Sequence, residues 1–409
     1  MTAGGLRVGT THPDREVVMG IWVGVDIGKE IHFALALDDT GVELLAREFP
    51  NTEEAIERLR RDVRGLGEPV FAVDMTEGPV ALLLAVLVGA GEDVRYVNGL
   101  SVNRSRLMLA GESKTDRRDA LTIAENLRLR GRALPRFGTG DDMMQALRLL
   151  MRRRADLVAD RTRAINRLRD TLLSYFPGLE HAFDFTSKGP LLLVSRYNTP
   201  DGIRRSGLSR IERHLRSVGA HKAGELAARA VTAAKAQSVR IAGQDTASAI
   251  VSELAAEVLR LTDQLAETDE RVSEAFFSLP QAEIITSMPG FGPRLGAELL
   301  VEIGEVSRFP TAGHLAAYAG IAPVSRDSGK STGNRMRARG GNKRLKKVMY
   351  HAAFVSIRCD DRARAFYDRK RSEGKRHHQA IIALARRRTD VMYAMLVHGT
   401  LYASESAAA

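Results

Sequence analysis

A single cysteine, Cys359, stands in a chain of 409 residues. That excludes a disulfide framework, a cysteine-based zinc site and an iron–sulfur cluster. Long apolar runs are missing as well. The longest, residues 80–90, covers 11 residues, short of the roughly 18 needed to span a bilayer. The first 20 residues include Asp14, Arg15 and Glu16 and no apolar leader core, so no secretory signal is expected. Histidine and cysteine show no ligand spacing for a metal, and no Ser-His-Asp order can be argued. Lysine is scarce beside arginine, 11 against 50, and arginine is the better fork for phosphate. Core-forming material is plentiful: 44% of residues are hydrophobic, which rules out disorder as the main state. At roughly 150 residues per domain, the expectation is a soluble, cytoplasmic, basic protein of two or three domains with no membrane partner.

Charge is unevenly placed. The whole chain carries +11, but residues 326–388 hold 20 basic and 5 acidic side chains, a local +15 that leaves −4 for everything else. A second basic stretch, 104–169, has 17 basic and 8 acidic residues. Solvated helical faces usually mix signs. These segments are one-sided and interleaved with glycine, so a polyanion is the expected partner. A membrane surface fits less well, because the basic residues lack a matching Trp/Phe/Leu face.

Residues 1–20 read as a flexible tail. Strand patterns over 21–27, 31–37 and 42–48 precede a helix from about Thr52, with Asn51 as its N-cap. Residues 70–75 read as a strand, 80–88 as a buried helix and 94–97 as a strand, giving an α/β sheet of mixed direction within 21–140. From Asp142 the pattern turns helical, with Leu147, Leu150, Leu157, Ile165, Leu168 and Leu172 recurring until Pro177-Gly178. A second long helix is expected over 244–278. The two suggest an antiparallel coiled-coil hairpin or a dimerisation arm over 141–280. Residues 182–243 read as a subdomain inserted into it, with Ala-rich helices and a weak strand. A third, mostly α unit spans 281–402.

Two acids lie in apolar strand patterns: Asp26 in Val23-Gly24-Val25-Asp26-Ile27-Gly28 and Asp74 in Phe71-Ala72-Val73-Asp74-Met75. Burial there is costly unless the acid is paired or metal-bound. Asp116 and Asp119, three apart, share one helix face, capped by Thr115 or Ser113; the alternative for this pair is surface acids bonded to Arg117 and Arg118. Two strand-borne acids followed by two on a later helix is the arrangement of ribonuclease H-like nucleases. Gathered carboxylates repel one another, and oxygen-only ligands point to Mg2+ or Mn2+. Two such ions would clamp the attacking and leaving oxygens of a phosphodiester. Glu77 competes with Asp74 for the second position, but an offset of three on a strand turns it off the Asp74 face.

The third unit opens with Met288-Pro289-Gly290-Phe291-Gly292-Pro293-Arg294-Leu295-Gly296. This is either a helix–hairpin–helix turn whose N–H groups meet a DNA phosphate or a glycine corner for close helix packing. Further on, Arg326-Asp327-Ser328-Gly329-Lys330 has the composition of a phosphate-binding loop. A phosphate gripped there could also be attacked by the Ser328 hydroxyl, given nearby cations and a base. From the residues alone, binding is the simpler of the two.

Val25-Asp26-Ile27-Gly28, Lys114-Thr115-Asp116-Arg117-Arg118-Asp119-Ala120, the Pro289-to-Pro293 turn and Arg326-Asp327-Ser328-Gly329 occur in one order. That ordered set, over nearly the whole chain, resembles the DEDD transposases of bacterial insertion sequences, described as bridge-RNA-guided serine recombinases. The resemblance implies an α/β ribonuclease H-like (RuvC-like) domain, a long helical coiled-coil hairpin and a mostly α C-terminal serine transposase domain. It implies Asp26, Asp74, Asp116 and Asp119 as a metal-binding acidic tetrad and Ser328 as the nucleophile. The family's usual second acid is Glu, where this chain has Asp74, with Glu77 as the substitute. It further implies dimers that pair into tetramers, and a noncoding RNA that pairs with donor and target DNA.

The function expected is therefore transposition: Ser328 attacks a backbone phosphorus while the acids hold metal. Arg326, Lys330, Arg335, Arg337, Arg339, Lys343 and Arg344 would grip phosphates of double-stranded DNA. The nearest rival is a metal-dependent Holliday-junction-type nuclease with no covalent serine intermediate. A sugar kinase or actin-like ATPase would need a second phosphate loop, and none is found. A non-catalytic nucleic-acid-binding protein would account for the charge but not for acids in buried strands.

Overall fold

Along residues 20–26 successive side chains go to opposite sides, and this alternation organises the N-terminal part of the molecule. The computed structural model describes residues 20–76, 78–97, 115–131, 134, 136–137, 142–325, 335–336, 338 and 340–403. The expected tail, but for Gly20, lies outside these residues. The chain divides into two units, Met1–Asp141 and Asp142–Ala409.

The first unit holds β1 (Gly20–Asp26), β2 (Ile31–Leu37), β3 (Glu43–Pro50), α1 (Glu53–Arg64), β4 (Glu68–Val73), α2 (Ala81–Gly89), β5 (Asp93–Tyr96) and α3 (Asp116–Arg130). The five strands form one sheet in the order β3-β2-β1-β4-β5. β1 pairs antiparallel with β2 and parallel with β4, so the sheet is mixed as expected for a ribonuclease H-like α/β fold. Ile21, Val23 and Val25, with Phe71 and Val73, pack under α1 and α2. The opposite face, with Trp22, Val70 and Ala72, packs against Ile123 and Leu127 of α3.

Two boundaries differ from the apolar pattern. β1 stops at Asp26 and β4 at Val73, although Ile27 and Met75 continue the run. β1 gives way here to the short turn into β2, where Asp26 is paired with Phe33. The cap of α1 is Thr52, whose Oγ1 accepts from the Ala55 N–H at 3.4 Å. Asn51, equally competent as a cap, is drawn away to donate its Nδ2 to the Pro79 carbonyl at 3.0 Å.

The second unit begins with α4 (Asp142–Tyr175), then α5 (Pro177–Ala182), α6 (Lys188–Val194), α7 (Pro200–Ser217), α8 (Ala223–Lys235) and α9 (Gln244–Phe277). α4 and α9 run antiparallel: Arg154 bonds Asp269, and Arg161, seven residues on, bonds Thr262, seven residues back. The weak strand expected in 182–243 is not found; the short apolar run in this stretch lies in α6, with Leu191, Leu193 and Val194 buried. A short buried run does not by itself distinguish strand from helix. Helices of this insertion share one core with α4 and α9, through Leu168, Leu172, Leu215 and Val251.

Beyond lie α10 (Gln281–Ser287), α11 (Pro293–Ile303), α12 (Ala312–Tyr318), β6 (Val324–Ser325), β7 (Arg335–Met336), α13 (Lys343–Cys359), α14 (Asp361–Ser372) and α15 (His377–His398). Their core joins Ile285, Met288, Leu300, Val348, Met349, Leu384 and Met392 to Phe276 of α9 and Leu147 of α4. Among the described residues, no helix is long and apolar enough to cross a membrane.

α3 can lie on β1 only because residue 24 is glycine. A Cβ there would sit 2.2 Å from the Ala120 carbonyl oxygen and 2.4 Å from the Ala124 nitrogen. Both neighbours are backbone, so relief requires moving the helix. Gly24→Ala is therefore expected to destabilise the first unit by about 1–3 kcal/mol, the usual cost of overpacking. Urea denaturation followed by the fluorescence of Trp22, on the same face, checks this.

Candidate carboxylate site and the serine loop

β1 and β4 are parallel neighbours with Val25 opposite Val73. Asp26 and Asp74 are the next residues of each, on strands about 4.8 Å apart. By alternation Asp26 occupies the face covered by α3, and Asp74, one residue past the end of β4, feels the charge of Asp119 on α3. Thr115 caps α3, its Oγ1 accepting from the Arg118 N–H at 3.3 Å. Asp116 is exposed in the first turn and Asp119 is half-buried one turn further in. The Asp74 carboxyl is held above its ordinary value, chiefly by burial and further by the charge of Asp119, while a backbone hydrogen bond opposes the shift. Register thus joins Asp26 to Asp74, and charge joins Asp74 to Asp119. Arg117, one of the two arginines that could have claimed Asp116 and Asp119, instead pairs with Glu43 at 2.6 Å.

Among the described residues, no group of three or more His, Cys, Asp or Glu side chains is gathered closely enough to hold a metal ion. Mg2+, however, is usually held by one or two protein carboxylates, its other positions going to water and substrate phosphates. Repelling carboxylates with no nitrogen or sulfur donor among them match that preference, so the residues present fit a hard divalent cation. Glu77 lies outside the described residues.

Ser328 also lies outside them, as do Arg326, Lys330, Arg337, Arg339 and the side chain of Arg335. The frame that carries this segment is described. β6 and β7 pair antiparallel, Val324 with Met336 and Ser325 with Arg335. Just outside that ladder Gly320 and Gly341 touch, and a Cβ on Gly341 would lie 2.6 Å from Gly320 Cα. The Asn342 N–H donates to the Tyr318 carbonyl at 2.6 Å. Its side chain donates to Glu302 at 2.7 Å and accepts from the N–H groups of Arg344 and Leu345, both at 3.0 Å. Lys343 and Arg344 therefore stand exposed on the capped first turn of α13, with Arg344 3.6 Å from Glu302. Lys346 donates to the Gly320 carbonyl at 2.9 Å. Sequence reasoning missed Asn342, Glu302 and Lys346. Asn342 was findable, since Asn before an apolar-periodic run is an N-cap signal. The partner of Lys346 is a backbone atom 26 residues away, for which no local pattern exists.

The glycine turn between α10 and α11 is used for packing at Gly290, where a Cβ would lie 2.3 Å from the Ala352 carbonyl oxygen. Arg388, buried, donates to the carbonyl of Pro289.

The chain matches two transposase families, DEDD_Tnp_IS110 over residues 23–177 and the IS116/IS110/IS902 transposase family over residues 282–368. The first span contains all four aspartates and the second contains Ser328. Over 93% of its length the chain is 43% identical to the insertion element IS900 uncharacterized 42 kDa protein of Mycobacterium paratuberculosis, covering 97% of that protein. It is 42% identical to the insertion element IS116 uncharacterized 44.8 kDa protein of Streptomyces clavuligerus, over 92% of this chain and 94% of that one. The mini-circle putative transposase for IS117 of Streptomyces coelicolor is 29% identical over 87% of this chain and 89% of its own. Transposases, the class that both family matches name, are enzymes that cut and rejoin DNA. The protein belongs to the IS110/IS116/IS902 family of insertion-element transposases.

A raised carboxyl value has a definite sign. Its stabilising contribution is complete below the unfolded value and is lost as pH rises through the folded one. Asp74 in its charged form thus opposes folding at neutral pH. Asp74→Asn is expected to raise the melting temperature of metal-free protein at pH 7, with the gain vanishing below the ordinary carboxylate range. Mn2+ should raise the melting temperature of the native chain more than that of the variant. Differential scanning calorimetry in EDTA and in Mn2+ reads both effects.

Proposed function

We propose that this transposase recombines insertion-element DNA through a serine nucleophile, with Asp26, Asp74, Asp116 and Asp119 holding Mg2+ or Mn2+ beside the reacting phosphate. The observation that carries the reading is Asp74, a carboxylate kept half-buried and close to Asp119 at the end of a strand whose neighbour ends in Asp26. Uncompensated burial of like charges is unfavourable, and a cation held between them would offset it. When bound, the ion would polarise a phosphoryl oxygen and stabilise the charge developing on it.

The Ser328 oxygen forms a bond to phosphorus as the bond from phosphorus to one deoxyribose oxygen breaks. The serine proton passes to a base, and the departing deoxyribose oxygen takes a proton to become a hydroxyl. The strand end is held as a phosphoserine ester, and attack by the hydroxyl of a different strand end reverses the step and rejoins the DNA. Arg326, Lys330, Arg335, Arg337, Arg339, Lys343 and Arg344 grip the phosphates. The exposed, capped turn bearing Lys343 and Arg344 and the +15 charge of residues 326–388 support this role. The family resemblance supports the larger assembly: dimers pairing into tetramers, the acidic domain of one subunit meeting the serine domain of another, and a noncoding RNA that selects the DNA sites.

Ser328→Ala is expected to abolish strand exchange while leaving DNA affinity nearly unchanged, and Asp116→Ala and Asp119→Ala are each expected to abolish it. A denaturant-stable protein–DNA adduct should form with the native chain and disappear with Ser328→Ala. Cleaved DNA without any adduct would instead select the junction-nuclease chemistry, and full recombination by Ser328→Ala would remove the nucleophile. Sequencing RNA that co-purifies with the protein tests the guide.

A further inference from the structure

Six rings on α13, α14 and the start of α15 form a connected chain that neither the carboxylate site nor the serine loop uses. Tyr350 lies 6.1 Å from His351 and 6.0 Å from His378. His378 lies 5.3 Å from His377, which in turn is 6.2 Å from Phe354 and 5.8 Å from Tyr367. Two bonds pin the imidazoles: the Tyr350 hydroxyl to His378 Nδ1 at 2.6 Å and the Tyr367 hydroxyl to His377 Nδ1 at 2.7 Å. His351, Phe354, His377 and His378 are exposed, Phe354 by 37%. The Arg358 guanidinium sits 5.3 Å from the centre of the Phe354 ring.

Tyr350 and Tyr367 pack against the core of this part of the chain, whereas His351, Phe354, His377 and His378 face solvent, and clustered exposed aromatic surface usually marks an interaction site. Residues 358–376 beside them carry 8 basic and 4 acidic side chains. Rings fixed by hydrogen bonds lose little freedom when something stacks on them, and aromatic faces with arginine and a basic surround are the chemistry that receives unpaired bases. We propose that this surface is a stacking platform for single-stranded nucleic acid. Bases rest on His377, His378 and Phe354, and phosphates reach the basic residues of α14. A duplex, whose base faces are already stacked, cannot use it. The proposal shares with the reading above only that the partner is nucleic acid; its test involves neither the carboxylates nor Ser328.

The full chain is titrated in EDTA, which blocks metal-dependent cleavage, with short unstructured single-stranded RNA, single-stranded DNA and a duplex of equal length. His377→Ala combined with His378→Ala is expected to weaken single-strand binding about tenfold or more, with duplex binding changed less than about twofold. Replacing both histidines by Phe, which keeps the rings, should hold affinity within about threefold. Loss on RNA alone identifies a noncoding RNA as the source, loss on DNA alone a displaced DNA strand, and loss on both a platform indifferent to the sugar. Unchanged single-strand affinity, or an equal loss on the duplex, overturns the proposal. Photocrosslinking of thiobase-substituted single strands to the unmutated chain gives a second reading that does not depend on a folded variant. Adducts are expected within residues 350–358 or 367–378, and adducts confined elsewhere would overturn it.

Discussion

The N-terminal unit is organised around an electrostatic cost. Asp74 is held in partial burial with a second carboxylate near it, and Asp26 ends the strand alongside. Left in water, these groups would ionise apart from one another. The sheet does not permit this, because the residues before them, Val25 and Val73, are fully buried on the opposite face. The helix above does not permit it either, because α3 rests on β1 at Gly24 with no side chain between them. Burying a Val, Leu or Phe stabilises by about 1.5–3 kcal/mol, and the core under α1 and α2 contains many such residues. That apolar packing is large enough to hold acids where they would not otherwise stay.

The second unit distributes its stability differently. The ion pair between Arg154 and Asp269 joins the two long helices, yet its side chains are 18% and 42% exposed, and pairs so open to water contribute roughly 0–1 kcal/mol. Such a pair sets the register of α4 against α9. The free energy comes from the apolar clusters at the two ends of the pair, one shared with α5–α8 and the other with α10–α15. The serine segment is mounted on the second of these through the β6–β7 ladder, with Asn342 tying that base to Tyr318, Glu302 and the start of α13. Under the proposed chemistry, rigid elements at the root of that segment are what positioning requires.

Much of the fold was legible because it follows local periodicity. The span of β2 and the start of α4 at Asp142 and of α9 at Gln244 were readable from alternation or from leucine spacing. Where two local signals competed, tertiary contacts decided. Asn51 and Thr52 are both good caps, and the carbonyl of Pro79 took Asn51 away. The run at Leu191 to Val194 suits strand or helix, and the surrounding helices, which offer no strand to pair with, made it α6. In the candidate site, the four aspartates were visible as acids in unfavourable or repeated positions and Asn342 carried a local N-cap signal, while Glu302 and Lys346 carried none, since their partners are distant in the chain.

The sequence alone determined the class of chemistry, because charge, residue type and spacing are properties of the chain itself: +15 over residues 326–388, acids within apolar runs, and a serine between arginine and lysine. Only the tertiary structure decided which groups act on one another. Parallel pairing of β1 with β4 set Val25 opposite Val73, so that Asp26 and Asp74, 48 positions apart in the chain, follow at adjacent strand ends, and the seating of α3 on Gly24 gave Asp74 the charge of Asp119 to contend with. Helix packing likewise brought Tyr350, Tyr367 and two histidines of α15 into one surface. Coulomb and hydrogen-bond energies depend on separation in space, and separation in space is what folding sets.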